Sequence, residues 1–180
     1  GGDDISPRAI PGDKGNMHVV TGLEHNELGR PNDSAELHTA MSRKRHEKLK
    51  QALKHPDFTH FKRFGDEGPV DVGVISWGSN FGECLEAMLK ARGEGIRCAA
   101  MKVVMLSPFP TEAVAAFMAD CKEVLVPELN YQGQFANLLQ AHVARPVTRL
   151  NRVSGEPMKV EEIIEEIRRL AGQKAAQKAA

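Results

Sequence analysis

The sequence lacks the features that would assign it to a membrane, a nucleic acid or a disulfide-stapled secreted fold. No apolar run is long enough to span a bilayer, and no secretory signal opens the chain. Lys and Arg number 24, as do Asp and Glu, so the formal net charge is zero. No global field therefore favours nucleic acid or an anionic membrane surface as partner. The three cysteines, Cys84, Cys98 and Cys121, stand apart and form neither a C-x-x-C pair nor a metal-ligand cluster. They are expected to be buried, reduced thiols of a cytoplasmic protein. Absent too are G-x-G-x-x-G, a P-loop Gly-Lys-Ser/Thr, a G-x-S-x-G elbow and H-E-x-x-H. The chain opens on Gly1-Gly2-Asp3-Asp4 without a methionine, as expected of a processed chain or a piece of a longer polypeptide.

What is present is a regular alternation of elements beginning at Val70. The apolar run from Val70 to Ser76 stops at Trp77-Gly78-Ser79, and an amphipathic helix follows from Asn80 to Arg92. Strand Ile96 to Met105 leads through Ser107-Pro108-Phe109-Pro110 to a helix capped by Thr111. Strand Glu123 to Val126 leads through Pro127-Glu128-Leu129-Asn130 to a helix ending near Val143. Strand Val147 to Leu150 precedes the last helix, whose apolar stripe is Val160, Ile163, Ile164, Ile167 and Leu170. Near-continuous apolar strands separated by crossover helices predict a three-layer α/β/α domain with a mostly parallel sheet, covered on both faces. The tail, Gln173 to Ala180, has no apolar stripe and is expected to fray.

Before that domain the chain is less regular. Met17 to Thr21 is a short strand candidate. Residues 33–54 have a helical pattern, with Asp33 or Ser34 as N-cap, Glu36 completing a capping box from Asp33, and Leu37, Ala40, Met41, Leu49, Ala52 and Leu53 on one face. The opposite face is basic; a neutral chain without aromatics interleaved in the charge favours a solvated face or a subunit contact over nucleic acid. His55 to Pro69 has linker composition, with Phe58, Phe61 and Phe64 pinning it to a neighbour and a boundary near Gly68. The expected divisions are thus 1–32, 33–69, 70–171 and a tail at 172–180.

Sites in such a sheet lie outside the carboxyl ends of the strands. The glycines after Val70–Ser76 suggest an anion site at a helix N-terminus. Without the fingerprint glycines, a tight strand-to-helix turn of small residues is the plainer reading. Glu24-His25-x-Glu27 has metal-ligating types, but a lone loop cluster is more often hydrogen-bonded or solvated. The loop from Gly22 to Pro31 serves either as a solvated connection, which its residue types favour, or as the lining of a site formed with another domain.

Several segments in order resemble the C-terminal part of the alpha subunit of 2-oxoacid:ferredoxin oxidoreductases, most closely the 2-oxoglutarate type. They are Ser6-Pro7-Arg8-Ala9-Ile10-Pro11-Gly12, Thr21 to Gly29, Met41 to Leu49, Gly73 to Ser79, Pro108-Phe109-Pro110, and Val126-Pro127-Glu128-Leu129-Asn130-Tyr131-Gln132-Gly133-Gln134. The resemblance implies that residues 1–32 end a pyrimidine-binding domain and residues 70–171 form a transketolase C-terminal-like domain. It also implies part of a thiamine-diphosphate enzyme that decarboxylates a 2-oxoacid, forms an acyl-coenzyme A and reduces ferredoxin through an iron–sulfur cluster. A beta subunit carrying thiamine diphosphate would be its partner.

Arg8 corresponds to a residue thought to hold the 2-oxoacid carboxylate. A guanidinium suits that role, and an equally open reading is a structural ion pair. Thr21, His25 and Asn26 are further substrate-side candidates. The sequence departs from a complete enzyme: it has no Gly-Asp-Gly segment for magnesium and diphosphate, and no cysteine cluster. The chain alone is expected to bind no thiamine diphosphate and to catalyse nothing. Other readings are the C-terminal domain of a transketolase or a 2-oxoacid dehydrogenase E1 beta subunit, or a non-catalytic anion-binding module at the Gly78 turn.

Overall fold

The structure is a computed structural model, and it describes residues 5–172. It divides into two compact units, one up to Phe58 and one from Thr59. Among the described residues no helix is long and apolar enough to cross a membrane. The expected fraying of the tail lies outside the described residues.

The second unit carries the sheet. Its strands are β1 (Phe61–Gly65), β2 (Val70–Trp77), β3 (Cys98–Val103), β4 (Cys121–Glu128) and β5 (Thr148–Asn151). Their order is β1-β3-β2-β4-β5, with β1 antiparallel to β3 and every other pair parallel. Successive residues point to opposite faces, and both faces are buried. Val72, Val74, Ala100 and Leu125 face one layer; Ile75, Met101, Val124 and Val126 face the other. The first layer holds α2 (Phe81–Gly93), through Phe81, Cys84 and Met88, and α5 (Val160–Leu170), through Ile163, Ile164 and Ile167. The second holds α3 (Thr111–Ala119), through Val114, Phe117 and Met118, and α4 (Gln134–His142), through Phe135 and Leu139. Arg168 near the end of α5 donates to Glu94 just past α2 (Nε to Oε2 2.8 Å), tying the two helix ends together.

The segment expected as a linker contains β1, and the two compact units meet at Phe58/Thr59. Phe61-Lys62-Arg63-Phe64-Gly65 has no continuous apolar run, because an edge strand buries little; its charged residues suit an edge. Phe64 does pack on a neighbour, its ring centroid 5.4 Å from that of Phe81. Arg63 pairs with Asp120 at 2.9 Å and lies over the Phe117 ring. Helix α3 starts at Thr111 itself, with Pro110 as its N-cap.

The first unit holds α1 (Ala35–Gln51), followed by a 3-10 turn at Ala52–Lys54. Its N-cap is Ser34, whose hydroxyl accepts from the Leu37 N–H at 3.2 Å. Cap and helix start thus stand one residue later than a box from Asp33 to Glu36 would require. Met17 to Thr21 is not a strand; the isolated bridge here joins His25 to Pro31. No described residue of this unit is buried, the apolar face of α1 included.

Candidate functional site

In the first unit the arm from Ser6 to Asn16 turns at Gly12 and Gly15, where Asp13 N–H donates to the Ile10 carbonyl and Asn16 N–H to the Asp13 carbonyl. Lys44 on α1 fixes its start by donating to Ser6 Oγ at 2.6 Å. Arg8 follows directly. It is exposed, and its guanidinium makes no hydrogen bond or ion pair with any described residue.

The loop from Thr21 to Asn32 is closed on itself. Asn26 Oδ1 accepts from the N–H groups of Leu28 (3.0 Å) and Arg30 (3.2 Å), and the Asn26 N–H donates to the Arg30 carbonyl at 2.9 Å. Thr21 Oγ1 donates to the Leu23 carbonyl, as does His25 Nδ1, which must therefore carry a proton. Glu24 ties this loop to α1, its carboxylate taking His38 Nδ1 at 2.9 Å and Arg45 Nη2 at 2.7 Å. Those hydrogen bonds, His38 first and then Arg45, hold the Glu24 carboxyl below the usual carboxylate range. The Glu24-His25-x-Glu27 cluster therefore uses Glu24 and His25 locally.

An open groove of about 960 Å³ runs between arm, loop and helix, lined among others by Pro7, Ala9, His25, Asn26, Met41 and Lys44. It brings His25 and Asn26 beside the two neighbours of Arg8. Thr21 does not line it.

In the second unit the carboxyl ends of β2 and β4 form a crevice. The connection from β2 leads by way of α2 to β3 on one side, and the path to β4 returns on the other; this reversal is where sheets of this kind bind ligands. Gly78 takes the left-handed turn (φ +63°), and Asn80, seated before α2, donates from Nδ2 to the Pro127 carbonyl at 3.1 Å. β4 contributes a buried carboxylate, Glu128, which is 2% exposed. Its Oε2 accepts from the Phe135 N–H at 2.7 Å and from Asn130 Nδ2 at 2.8 Å, and its Oε1 accepts from the Ala136 N–H at 2.8 Å. Asn130 Oδ1 takes the N–H groups of Gly133 (2.7 Å) and Gln134 (3.1 Å). Together these two side chains pair the four free N–H groups that open α4. The N-terminus of α4 is thus occupied from within and offers an anion nothing.

This pairing escaped sequence reasoning because Glu128 lies six residues before α4, outside any capping spacing. The Pro-Glu-Leu-Asn string ahead of Gly133 is the signal that could have found it.

The cysteines are buried and free. Burial is the main cause that pushes the Cys84 and Cys98 thiols up to about 12 and the Cys121 thiol up to about 11. Native protein at pH 8 is expected to react with iodoacetamide at none of the three within an hour, and at all of them in 6 M guanidinium chloride, as read by intact mass. Alkylation of any one in the native state at the rate of free cysteine would contradict this placement. Among the described residues no group of three or more His, Cys, Asp or Glu is placed to hold a metal. The donor set does not fit magnesium, and the three isolated, neutral thiols do not fit an iron–sulfur cluster.

The family model for pyruvate:ferredoxin oxidoreductase core domain II matches residues 70–163, more than half of the chain. The 2-oxoacid:ferredoxin oxidoreductase 2 alpha subunit of Aeropyrum pernix is 33% identical over 170 residues, 93% of this chain and 26% of that protein. The solved structure of 2-oxoglutarate:ferredoxin oxidoreductase from Magnetococcus marinus, with 2-oxoglutarate, coenzyme A and succinyl-CoA bound, is 38% identical. It covers 94% of this chain and 29% of its own, with a TM-score of 0.88. A split-gene transketolase shares the fold at 17% identity, with a TM-score of 0.52 over 67% of this chain and 45% of its own. The chain spans about a quarter of the length of the first curated relatives it matches. With the mostly parallel sheet and a match that spans β2 to β5, the chain belongs to the pyruvate:ferredoxin oxidoreductase core domain II family.

Proposed function

We propose that this chain forms part of the alpha subunit of a 2-oxoacid:ferredoxin oxidoreductase acting on 2-oxoglutarate, in which Arg8 holds a substrate carboxylate. The observation that carries the reading is the state of Arg8. Its segment is tethered by the Lys44–Ser6 hydrogen bond, yet its guanidinium has no partner among the described residues. A structural ion pair, the competing role, would need an acid that these residues do not place there. A guanidinium left open on an anchored arm suits a carboxylate arriving from elsewhere, which it grips through two parallel charge-assisted hydrogen bonds. His25 and Asn26 face the neighbouring groove, where Asn26 sets the loop shape. Thr21 acts through the loop.

The remaining machinery belongs to other segments or subunits. In this reading a beta subunit carries thiamine diphosphate with magnesium, an iron–sulfur cluster passes electrons to ferredoxin, and coenzyme A accepts the acyl group, all in the cytoplasm. Residues 1–32 then close a pyrimidine-binding domain, and the sheet unit supports assembly. The described residues do not fit these groups. The transketolase likeness extends to fold alone. An anion-binding module at Gly78 is disfavoured by the acceptors that face that crevice, Asn80 and Glu83.

The test is reconstitution with the missing partners. Arg8→Ala is expected to lower kcat/KM for 2-oxoglutarate about a hundredfold in coenzyme A-dependent viologen reduction, two charge-assisted hydrogen bonds supplying about 3 kcal/mol. Arg8→Lys should recover part of the loss, and thermal stability should stay unchanged in both. Full activity of Arg8→Ala would refute the carboxylate role and leave the family membership standing.

A further inference from the structure

The crevice between β2 and β4 has polar atoms on its floor that no described residue satisfies. Asn80 is 7% exposed; its amide orientation is fixed by the bond to the Pro127 carbonyl, so Oδ1 must point elsewhere, and it finds no donor. One helical turn on, Glu83 Oε2 is likewise shut off from solvent and without a donor. Both residues line one cavity of about 510 Å³, with Leu129, Arg152 and Val153 among its walls. Asn80 also lines an adjoining cavity of about 240 Å³ with Trp77 and Glu128.

The charge of the crevice has one sign. Arg152 is taken by Glu162 at 2.9 Å and by the Asn151 carbonyl, and Glu128 is consumed by α4. Glu83 is therefore the charge left unbalanced on the floor, and Glu156 adds another carboxylate at the wall. Around this floor stand large apolar groups in contact with water, Trp77 38%, Leu129 40% and Val153 72% exposed; Tyr131, 85% exposed, follows Asn130 in the chain just beyond this lining. Two buried acceptors of negative character within an apolar rim suit a donor carried on an apolar stem. Buried acceptors left unpaired are each costly by about 1–3 kcal/mol, so pairing them is strongly favoured. Exposed aromatic and aliphatic side chains around buried acceptors are the make-up of a protein interface core, where an arginine is a common anchor.

We infer that this crevice is a docking surface for a partner polypeptide that inserts a cationic side chain, its stem against Trp77, Leu129 and Val153 and its head on Asn80 Oδ1 and Glu83 Oε2. The inference presumes that the chain assembles with further polypeptide, as the proposed function requires, and is independent of the role of Arg8.

Hydroxyl-radical footprinting of the full chain, free and in the assembled complex, reads the surface directly, because Trp77 and Tyr131 are the only tryptophan and tyrosine. Their oxidation is expected to slow at least fivefold on assembly. Glu83→Ala should weaken assembly about tenfold and Glu83→Gln less, and Tyr131→Ser, on a side chain with no role in the core, should weaken it too; circular dichroism of the free chains should not change. Equal oxidation of Trp77 and Tyr131 in free and assembled protein, or wild-type assembly of Glu83→Ala, would overturn the proposal. Protection of Trp77 by argininamide without protection on assembly would replace the partner with a small cation. Protection by inorganic phosphate would overturn the cationic assignment. Assembly is read here without turnover, so an inactive reconstitution would bear on the functional reading and not on this one.

Discussion

Glu128→Ala is expected to destabilise the sheet unit by about 4 kcal/mol, because it removes a buried acceptor from three donors at once. The Phe135 and Ala136 N–H groups open α4 and face the core, so water does not replace the lost carboxylate freely. The negative charge also complements the positive end of the helix dipole. Asn130 loses the bond that orients its amide, and with it the geometry that pairs Gly133 and Gln134. Glu128→Gln separates charge from shape. It keeps one oxygen for one N–H but turns an NH₂ toward the other, so about half the loss is expected. Thermal unfolding followed by circular dichroism should fall by more than 10 °C for the alanine variant. A fall under about 3 °C would mean that the α4 N–H groups find other acceptors and that Glu128 is not their keystone. Because the crevice floor is built on this arrangement, Glu128→Ala should also loosen Leu129 and Asn130 at its edge.

The parts of the fold legible in the sequence are those where one segment carries its own signal. Val70 to Ser76 is apolar throughout because β2 is central and covered on both faces, and the stripe on α5 is complete within eleven residues. β1 was not legible, since an edge strand of mostly exposed residues is defined by its pairing with β3 and not by its composition. The apolar face of α1 is real in the sequence but buries nothing among the described residues, because periodicity reports a face and not what lies against it.

The site divides in the same way. Arg8 stands out through the resemblance alone, and its lack of a partner among the described residues is a structural fact that no local pattern encodes. Glu24 tying the loop to His38 and Arg45, and Asn80 reaching Pro127, join positions far apart in sequence. Such pairings appear only once the chain has folded.

Gly73→Ala should cost about 3 kcal/mol, for a reason of space and not of backbone conformation. A Cβ at Gly73 would stand 2.2 Å from Cys121 Sγ and 3.0 Å from Phe117 Cε1. Neither neighbour retreats easily: Cys121 Sγ–H donates to the Phe117 carbonyl at 3.1 Å, and Phe117 is fully buried between sheet and α3. Nor can the strand move, because β2 is paired on both sides at this residue, with Ala99 and with Val124. Removing the sulfur tests the mechanism. Cys121→Ala alone should cost about 1 kcal/mol for the lost packing. In that background the sulfur is gone, leaving the Cβ of residue 121 at 3.2 Å and Phe117 at 3.0 Å, contacts that a small side-chain shift relieves. The second substitution should then cost only about 1 kcal/mol, a coupling of about 2 kcal/mol between the two sites. The intrinsic difference between glycine and alanine in a strand is the same in both backgrounds and cancels from that coupling. Additive losses in urea unfolding would therefore show that Gly73 is retained for something other than the close approach of Cys121.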